Sequence, residues 1–142
     1  MAYRINFYKP GSIENEQLKY AVIISGFNGK WIFVRHRDRI TWEVPGGHRE
    51  PGENIAVTAR RELYEESGAV KFNIFEVSDY SVESGTEIGF GRLFLAEVEK
   101  LDVLPQSEIA EIRLFDDIPD NLTYPEIQKV LYKHILDYQN SL

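Results

Sequence analysis

Three glutamates, Glu62, Glu65 and Glu66, fall within the eight residues RRELYEES at positions 60 to 67. On a helix, residues three and four apart share a face, so Glu62 would meet both Glu65 and Glu66. Like charges at that spacing cost about 0.2–0.5 kcal/mol per pair, and more where the cluster is partly desolvated. Carboxylates gathered in this way are hard oxygen donors that suit a divalent cation such as Mg²⁺ or Mn²⁺. A cation of that kind can neutralise phosphate oxygens and activate a water for attack on phosphorus. The alternative is an acidic, solvated helix face on which Arg60 and Arg61 keep the surface wet; the three acids alone leave both readings open.

The flanking residues predict the elements that would position the acids. Asn54 suits a helix N-cap, Ala56, Ala59 and Leu63 form one apolar stripe, and Gly68 suits the left-handed position after the last turn. The spacing predicts a helix of about fourteen residues, with the acids toward its C-terminal end, where the macrodipole disfavours negative charge. Upstream, YAVIIS (20–25) and KWIFVR (30–35) read as strands joined at Asn28-Gly29, a pair suited to a tight hairpin turn. RITWEVPGG predicts a third strand with Ile40, Trp42 and Val44 on one face and Thr41 and Glu43 on the other, stopped by Pro45-Gly46-Gly47. Downstream, AVKFNIFEVSDYSV and EIGFGRLFLAEVEKL predict longer strands, and EIAEIRLFDDIPDN a short strand and turn. TYPEIQKVLYKHILDYQ predicts a final amphipathic helix that buries Ile127, Val130 or Leu131, Ile135 and Tyr138. Strands interrupted by one helix and closed by another predict an α+β fold, a mixed sheet sandwiched between helices.

Composition narrows the function classes. The 142 residues suit one domain over 1–142, with 43% hydrophobic residues to build a core. A net charge of −7 argues against a broad phosphate-backbone footprint on DNA or RNA. An acidic protein that takes a phosphorylated small molecule needs a bridging cation or a local basic patch. The chain has no cysteine, which excludes disulfides, thiol chemistry and cysteine-ligated zinc, and its three histidines are scattered. No basic segment followed by an apolar run opens the sequence, and no stretch approaches a membrane span, so the expectation is a cytoplasmic, soluble protein.

From Gly47 the chain runs through five residues to Glu53, seven more to Arg61-Glu62, then Leu63, one residue, Glu65-Glu66, one residue and Gly68. This pattern closely resembles the box of the Nudix hydrolases, which cleave nucleoside diphosphates linked to another moiety. Every fixed residue of the box is present between Gly47 and Gly68; only Ala69 departs, standing where the family usually carries a bulky aliphatic residue. The resemblance implies that Glu62, Glu65 and Glu66 hold Mg²⁺, or Mn²⁺ in its place, with the Gly46 carbonyl as a further oxygen ligand. It also implies that Arg61 and Glu53 orient the loop and the ligand carboxylates through a salt bridge. For the general base, relatives use a box glutamate or one well downstream. Glu62 is therefore the first candidate, with Glu108 next, its rival Glu111 close by, and Glu87 a weaker one.

Substrate choice rests on fewer signals. VRHRDR, with Arg35, His36, Arg37 and Arg39, is the one dense basic run; Arg35 and Arg37 are taken as phosphate contacts, although such charges also blunt exposed strand ends. His48 lies in the glycine loop. Phe27, Trp31, Trp42, Tyr80, Phe90 and Tyr124 offer stacking surfaces, but aromatics at strand spacing usually build core. Motifs associated with ADP-ribose, dinucleoside polyphosphate, coenzyme A and NADH relatives are missing; Gly85 stands where the first would carry proline. Elimination leaves nucleoside triphosphates, including oxidised ones such as 8-oxo-dGTP. ADP-ribose, nucleotide-sugar or dinucleoside polyphosphate hydrolysis, and a non-catalytic nucleotide-binding regulator, are the alternatives. The resemblance is also compatible with a homodimer.

Overall fold

Apolar residues line both faces of the central strands, and the sheet they form is covered on both sides. The computed structural model describes residues 2–142. Its strands are β1 (Arg4–Tyr8), β2 (Leu18–Phe27), β3 (Lys30–His36), β4 (Gly46–His48), β5 (Ala69–Ser84), β6 (Glu87–Leu101) and β7 (Ile109–Phe115). Helix α1 (Ile55–Ser67) follows β4, and α2 (Pro125–Asn140) follows β7. The strands form one sheet in the order β1-β5-β6-β2-β3-β7, with β4 also paired to β2. Only β2 and β6 run parallel; the other pairs are antiparallel. This is the expected α+β arrangement of a mixed sheet between helices.

Strand β6 shows how the two layers attach. Phe94, Ala96 and Val98 pack with Ile55, Ala59 and Leu63 of α1, whereas Leu93 and Leu95 pack with Leu131, Tyr132 and Ile135 of α2. Alternate residues point to opposite faces of a strand, so one segment anchors both helices. The β2–β3 hairpin turns at Asn28 (φ 52°) and Gly29 (φ 76°), the pair of positive φ angles that matches the twist of the strands. In α2 it is Leu131 that faces the core, while Val130 is 39% exposed.

The third predicted strand is not formed as expected. Trp42 and Val44 are buried, but Ile40 is 81% exposed, and successive residues pair with different segments. Glu43 exchanges both backbone hydrogen bonds with Val34, while Trp42 N–H donates to Asn121 O and its carbonyl accepts from Thr123 N–H. Two isolated bridges replace a ladder. The glycines expected to stop the strand instead begin β4, because the free edge of β2 takes them: Pro45 O accepts from Ile23 N–H at 2.9 Å, and Arg49 N–H donates to Lys19 O at 2.9 Å. Strand β1, too short and polar to signal itself, pairs with the far edge of β5.

Asp79 of β5 ties the amino-terminal segment to the sheet. Fully buried, it accepts from Gly11 N–H (3.0 Å) and Ile13 N–H (2.9 Å) and from the Arg92 guanidinium at 2.5 Å. The Arg92 guanidinium also reaches Glu76 at 2.6 Å. Asp79→Asn keeps an acceptor but removes the charge opposite Arg92, and is expected to cost about 2 kcal/mol. Urea unfolding should show a lower midpoint at unchanged slope; an unchanged midpoint would contradict this role.

Candidate active site

Helix α1 begins and ends where its caps dictate. The Asn54 side chain accepts from Ala56 N–H, and Gly68, at φ 79°, donates to Tyr64 O. A Cβ at Gly68 would meet Asp102 O at 2.6 Å, so a side chain is excluded by space as well as by backbone angle. With its ends set, α1 lies beside β4 and turns Glu62 and Glu66 toward the glycines.

The contact is close. Glu66 Oε1 accepts from Gly46 N–H at 3.0 Å. Pro45, Gly47 and Arg49 stand at the positions of the antiparallel ladder that face β2, so the polar groups of Gly46 point the other way, and its carbonyl lies on the same side as the N–H that meets Glu66. A Cβ on Gly47 would overlap the Glu62 carboxylate. Gly47→Ala must therefore displace Glu62, and is expected to lower kcat at least about 100-fold, as a 1 Å misplacement of reacting groups does, with the circular dichroism spectrum unchanged. Wild-type turnover in that variant would show that the position of Glu62 is irrelevant.

Burial sets the charge states. Glu66 is 9% exposed, and desolvation, with Glu62, Glu43 and Glu108 nearby, pushes its pKa up to about 8. Glu62 is raised to about 7, again chiefly by desolvation and against the opposing pull of Arg61. Glu65 is half-exposed. The group of opposite charge that Glu62 and Glu65 face is Arg61: Nη1 donates to Glu62 Oε1 at 2.6 Å and lies 3.5 Å from Glu65 Oε2. Arg61 grips Glu53 bidentately, at 2.9 Å on both oxygens, and reaches His48 O at 3.2 Å. Thr58 Oγ1 also donates to Glu53. The Arg61 hydrogen bonds and Thr58 hold Glu53 down at about 2, and Arg61 is raised in turn. Glu53 and Arg61 thus form a brace between loop and helix that fixes Glu62 by one side.

A cleft of about 1170 Å³ opens over this floor. Its lining includes Gly46, Gly47, Glu62 and Glu66, joined by Glu108, Glu43 and His36, and the more apolar group of Tyr80, Val82, Ile127, Gln128 and Leu131. His36 Nε2 lies 3.0 Å from Glu43 Oε1 and 3.8 Å from Glu66 Oε2, and its Nδ1 lies 3.7 Å from Glu108 Oε2. Among the described residues no three or more His, Cys, Asp or Glu side chains are clustered tightly enough to hold a metal ion as they stand. Glu62 and Glu65 are turned toward Arg61, and Glu66 toward Gly46. The donor set nevertheless fits a hard divalent cation: a buried and a half-buried carboxylate with raised pKa values, a half-exposed third and a backbone carbonyl, all oxygen and without thiols.

Several sequence expectations are sorted by this geometry. Glu108 lines the cleft but is largely exposed. Glu111 instead pairs with Arg35 at 3.2 Å and Arg113 at 3.0 Å, which lowers its pKa. Glu87 sits at the cleft rim. Arg35 is held by Glu111 and Arg39 O, and Arg37 by Ser107 O at 2.5 Å; neither lines the large cleft, whose guanidinium groups are Arg39 and Arg61. Arg37 borders a smaller pocket beside Glu108. Of the aromatics, Tyr80 and Tyr124 line the cleft, while Phe27, Trp31, Trp42 and Phe90 pack into the two cores. Tyr20, against His48 with ring centroids 4.7 Å apart, was missed, as were Glu43 and Gln128. Alternation with Trp42 and Val44 marked Glu43 as facing away from the core, but nothing in the sequence marked it as facing Glu66 or His36.

A NUDIX domain model matches residues 16–134. The chain belongs to the NUDIX family. Over 108 residues, 74% of the chain, this NUDIX domain is 33% identical to the Bacillus subtilis (strain 168) protein named "Putative 8-oxo-dGTP diphosphatase YtkD", and the match spans 66% of that relative's length. A mouse protein, "Nucleoside diphosphate-linked moiety X motif 6", is 49% identical over 41 residues, 28% of this chain and 13% of its own. Among solved structures, the Bacillus subtilis pyrophosphohydrolase BsRppH superposes with a TM-score of 0.81 at 25% identity, covering 98% of this chain and 90% of that one. A UDP-X diphosphatase superposes at 0.71 and 22% identity, covering 94% of this chain and 68% of that one, a likeness of fold alone. No helix of the described residues is long and apolar enough to cross a membrane.

Proposed function

We propose that this NUDIX domain is a metal-dependent pyrophosphohydrolase that acts on nucleoside triphosphates, ordinary or oxidised, 8-oxo-dGTP included. The observation that carries the reading is the pair of carboxylates, half-buried Glu62 and buried Glu66, set against the glycines of β4 in the lining of a cleft large enough for a nucleotide. Its relatives support the chemistry: one is named a diphosphatase of 8-oxo-dGTP and another a pyrophosphohydrolase.

Glu62, Glu65, Glu66 and the Gly46 carbonyl would hold Mg²⁺ or Mn²⁺. Bound there, the cation supplies charge neutralisation for phosphate oxygens and acidifies a coordinated water. The protein's own residues do the rest. Arg61 and Glu53 keep the helix and loop in register, so that Glu62 and Glu66 stand ready before substrate arrives. A carboxylate that the cation does not engage is suited to accept the proton of the attacking water; Glu62 is the first candidate, and Glu108, beside Glu66 and His36, is the second. Water oxygen bonds to phosphorus, the anhydride P–O bond breaks, and nucleoside monophosphate and pyrophosphate leave. The apolar wall near Tyr80 and Leu131 takes the base.

The test is a screen of purified protein with Mg²⁺ or Mn²⁺ against oxidised and ordinary nucleoside triphosphates, nucleotide sugars, ADP-ribose and dinucleoside polyphosphates. Metal-dependent release of pyrophosphate from triphosphates is expected. Preferred cleavage of another group would move the substrate class, and nucleotide binding without any cleavage would favour a regulatory module.

A further inference from the structure

Gln128, in the second turn of α2, is 7% exposed, and among the described residues its Oε1 is the one buried side-chain oxygen or nitrogen with no hydrogen-bond partner. Buried acceptors are rarely left unpaired, because stripping water from them is costly unless something replaces it. Gln128 is also part of the cleft wall, with Tyr124 one turn before it and Leu131 after it. A ligand N–H that reached this oxygen would gain a hydrogen bond to a group already stripped of water in the free protein. Leucine or methionine would fill the same place without the orphaned oxygen, so the polar atom is unexplained by packing.

We propose that Gln128 is a specificity-determining residue, whose side-chain carbonyl accepts an N–H of the nucleotide base. The inference rests on the nucleoside triphosphate reading above and adds to it a named contact for the base. With a cation on the glutamates holding the phosphates, the base would lie along the rest of the lining, where Gln128 is the side-chain amide among Tyr80, Val82, Ile127 and Leu131. Sites built around a buried polar group reject analogues that cannot pair with it, because the group is then left unsatisfied beneath the ligand. A base with no N–H donor on its edges would be such an analogue.

The experiment compares kcat/KM for ATP, GTP and the triphosphate of unsubstituted purine riboside, which has no N–H donor on its base, in the wild type and in Gln128→Met and Gln128→Leu. The wild type is expected to favour its better natural purine over the donor-free analogue at least about 100-fold. Both variants are expected to narrow that ratio to within about fivefold, mainly by raising KM for the natural purine. Their Tm should be unchanged or higher, since a buried unpaired oxygen has been removed. A selectivity that survives both substitutions, or rates that fall equally for all three substrates, would overturn the role of Gln128 and leave the enzyme reading standing. A lower Tm with parallel loss for all three would assign the residue to packing instead. No cleavage of any triphosphate, with no nucleotide binding by calorimetry, would overturn the enzyme reading and this one together.

Discussion

Glu66→Gln is expected to lower kcat about 1000-fold or more in the presence of Mg²⁺ or Mn²⁺, while the protein folds normally. The substitution is nearly isosteric, and the Gln carbonyl can still accept from Gly46 N–H, the contact that Glu66 Oε1 makes at 3.0 Å. What disappears is one negative charge, buried and aimed at the place where the phosphates and cation would meet. A factor of 1000 is about 4 kcal/mol of transition-state stabilisation, a reasonable size for a hard ligand in a desolvated site. The stability readout should move the other way. Glu66 is held at about 8 by burial and by neighbouring carboxylates, so at pH 8 the metal-free wild type carries an ionisation cost that Gln lacks, and the variant should melt a few degrees higher. Normal turnover in Glu66→Gln would remove this carboxylate from the site, and a lower Tm at pH 8 would contradict its desolvated state.

The second large effect is the pH dependence of stability without metal. Glu53 is depressed to about 2, so its contribution is present above about 4.5 and is lost as the pH falls toward 2. Glu62 and Glu66 have the opposite sign: raised to about 7 and about 8, they favour folding fully below about 4.5, and that contribution is lost as the pH rises through 7 and 8. Stability of the metal-free protein is therefore expected to peak near pH 5 and to fall by on the order of 3 kcal/mol by pH 8, once coupling between the two acids is counted. That corresponds to a drop in Tm of about 10 °C for a chain of this size. Divalent cation should restore most of the loss on the alkaline side and do little at pH 5, because it binds the ionised form. Thermal melts from pH 4 to 9, with EDTA and with Mg²⁺ or Mn²⁺, check both arms. A flat profile between pH 5 and 8 would mean that Glu62 and Glu66 are as well solvated as in the unfolded chain.

The amino-acid pattern alone specifies the helix that carries the acids, because every signal for it is local: the Asn54 cap, the Gly68 stop and the 3.6-residue spacing of Ala59, Leu63 and the glutamates. It also determined the two layers over one sheet, since Leu93, Leu95, Phe94 and Ala96 alternate within one strand and each face needs a cover. Local rules failed where a segment's partner lies far along the chain. Trp42 and Glu43 have the alternation of a strand, yet bond Asn121, Thr123 and Val34 in turn, and Gly46-Gly47, which read as a stop, lie along β2. The basic run shows the same limit in side chains. Nothing in VRHRDR says that Arg35 turns to Glu111 on β7 while His36 turns to Glu43 and Glu66; the choice belongs to strand register and to a bulge between those two residues. The unpaired oxygen of Gln128 has no sequence signal at all, because a glutamine on a helix is ordinary until the surrounding tertiary structure removes both its water and its partner. Motif spacing therefore specified the acidic end of the cleft, and long-range packing decided what faces it.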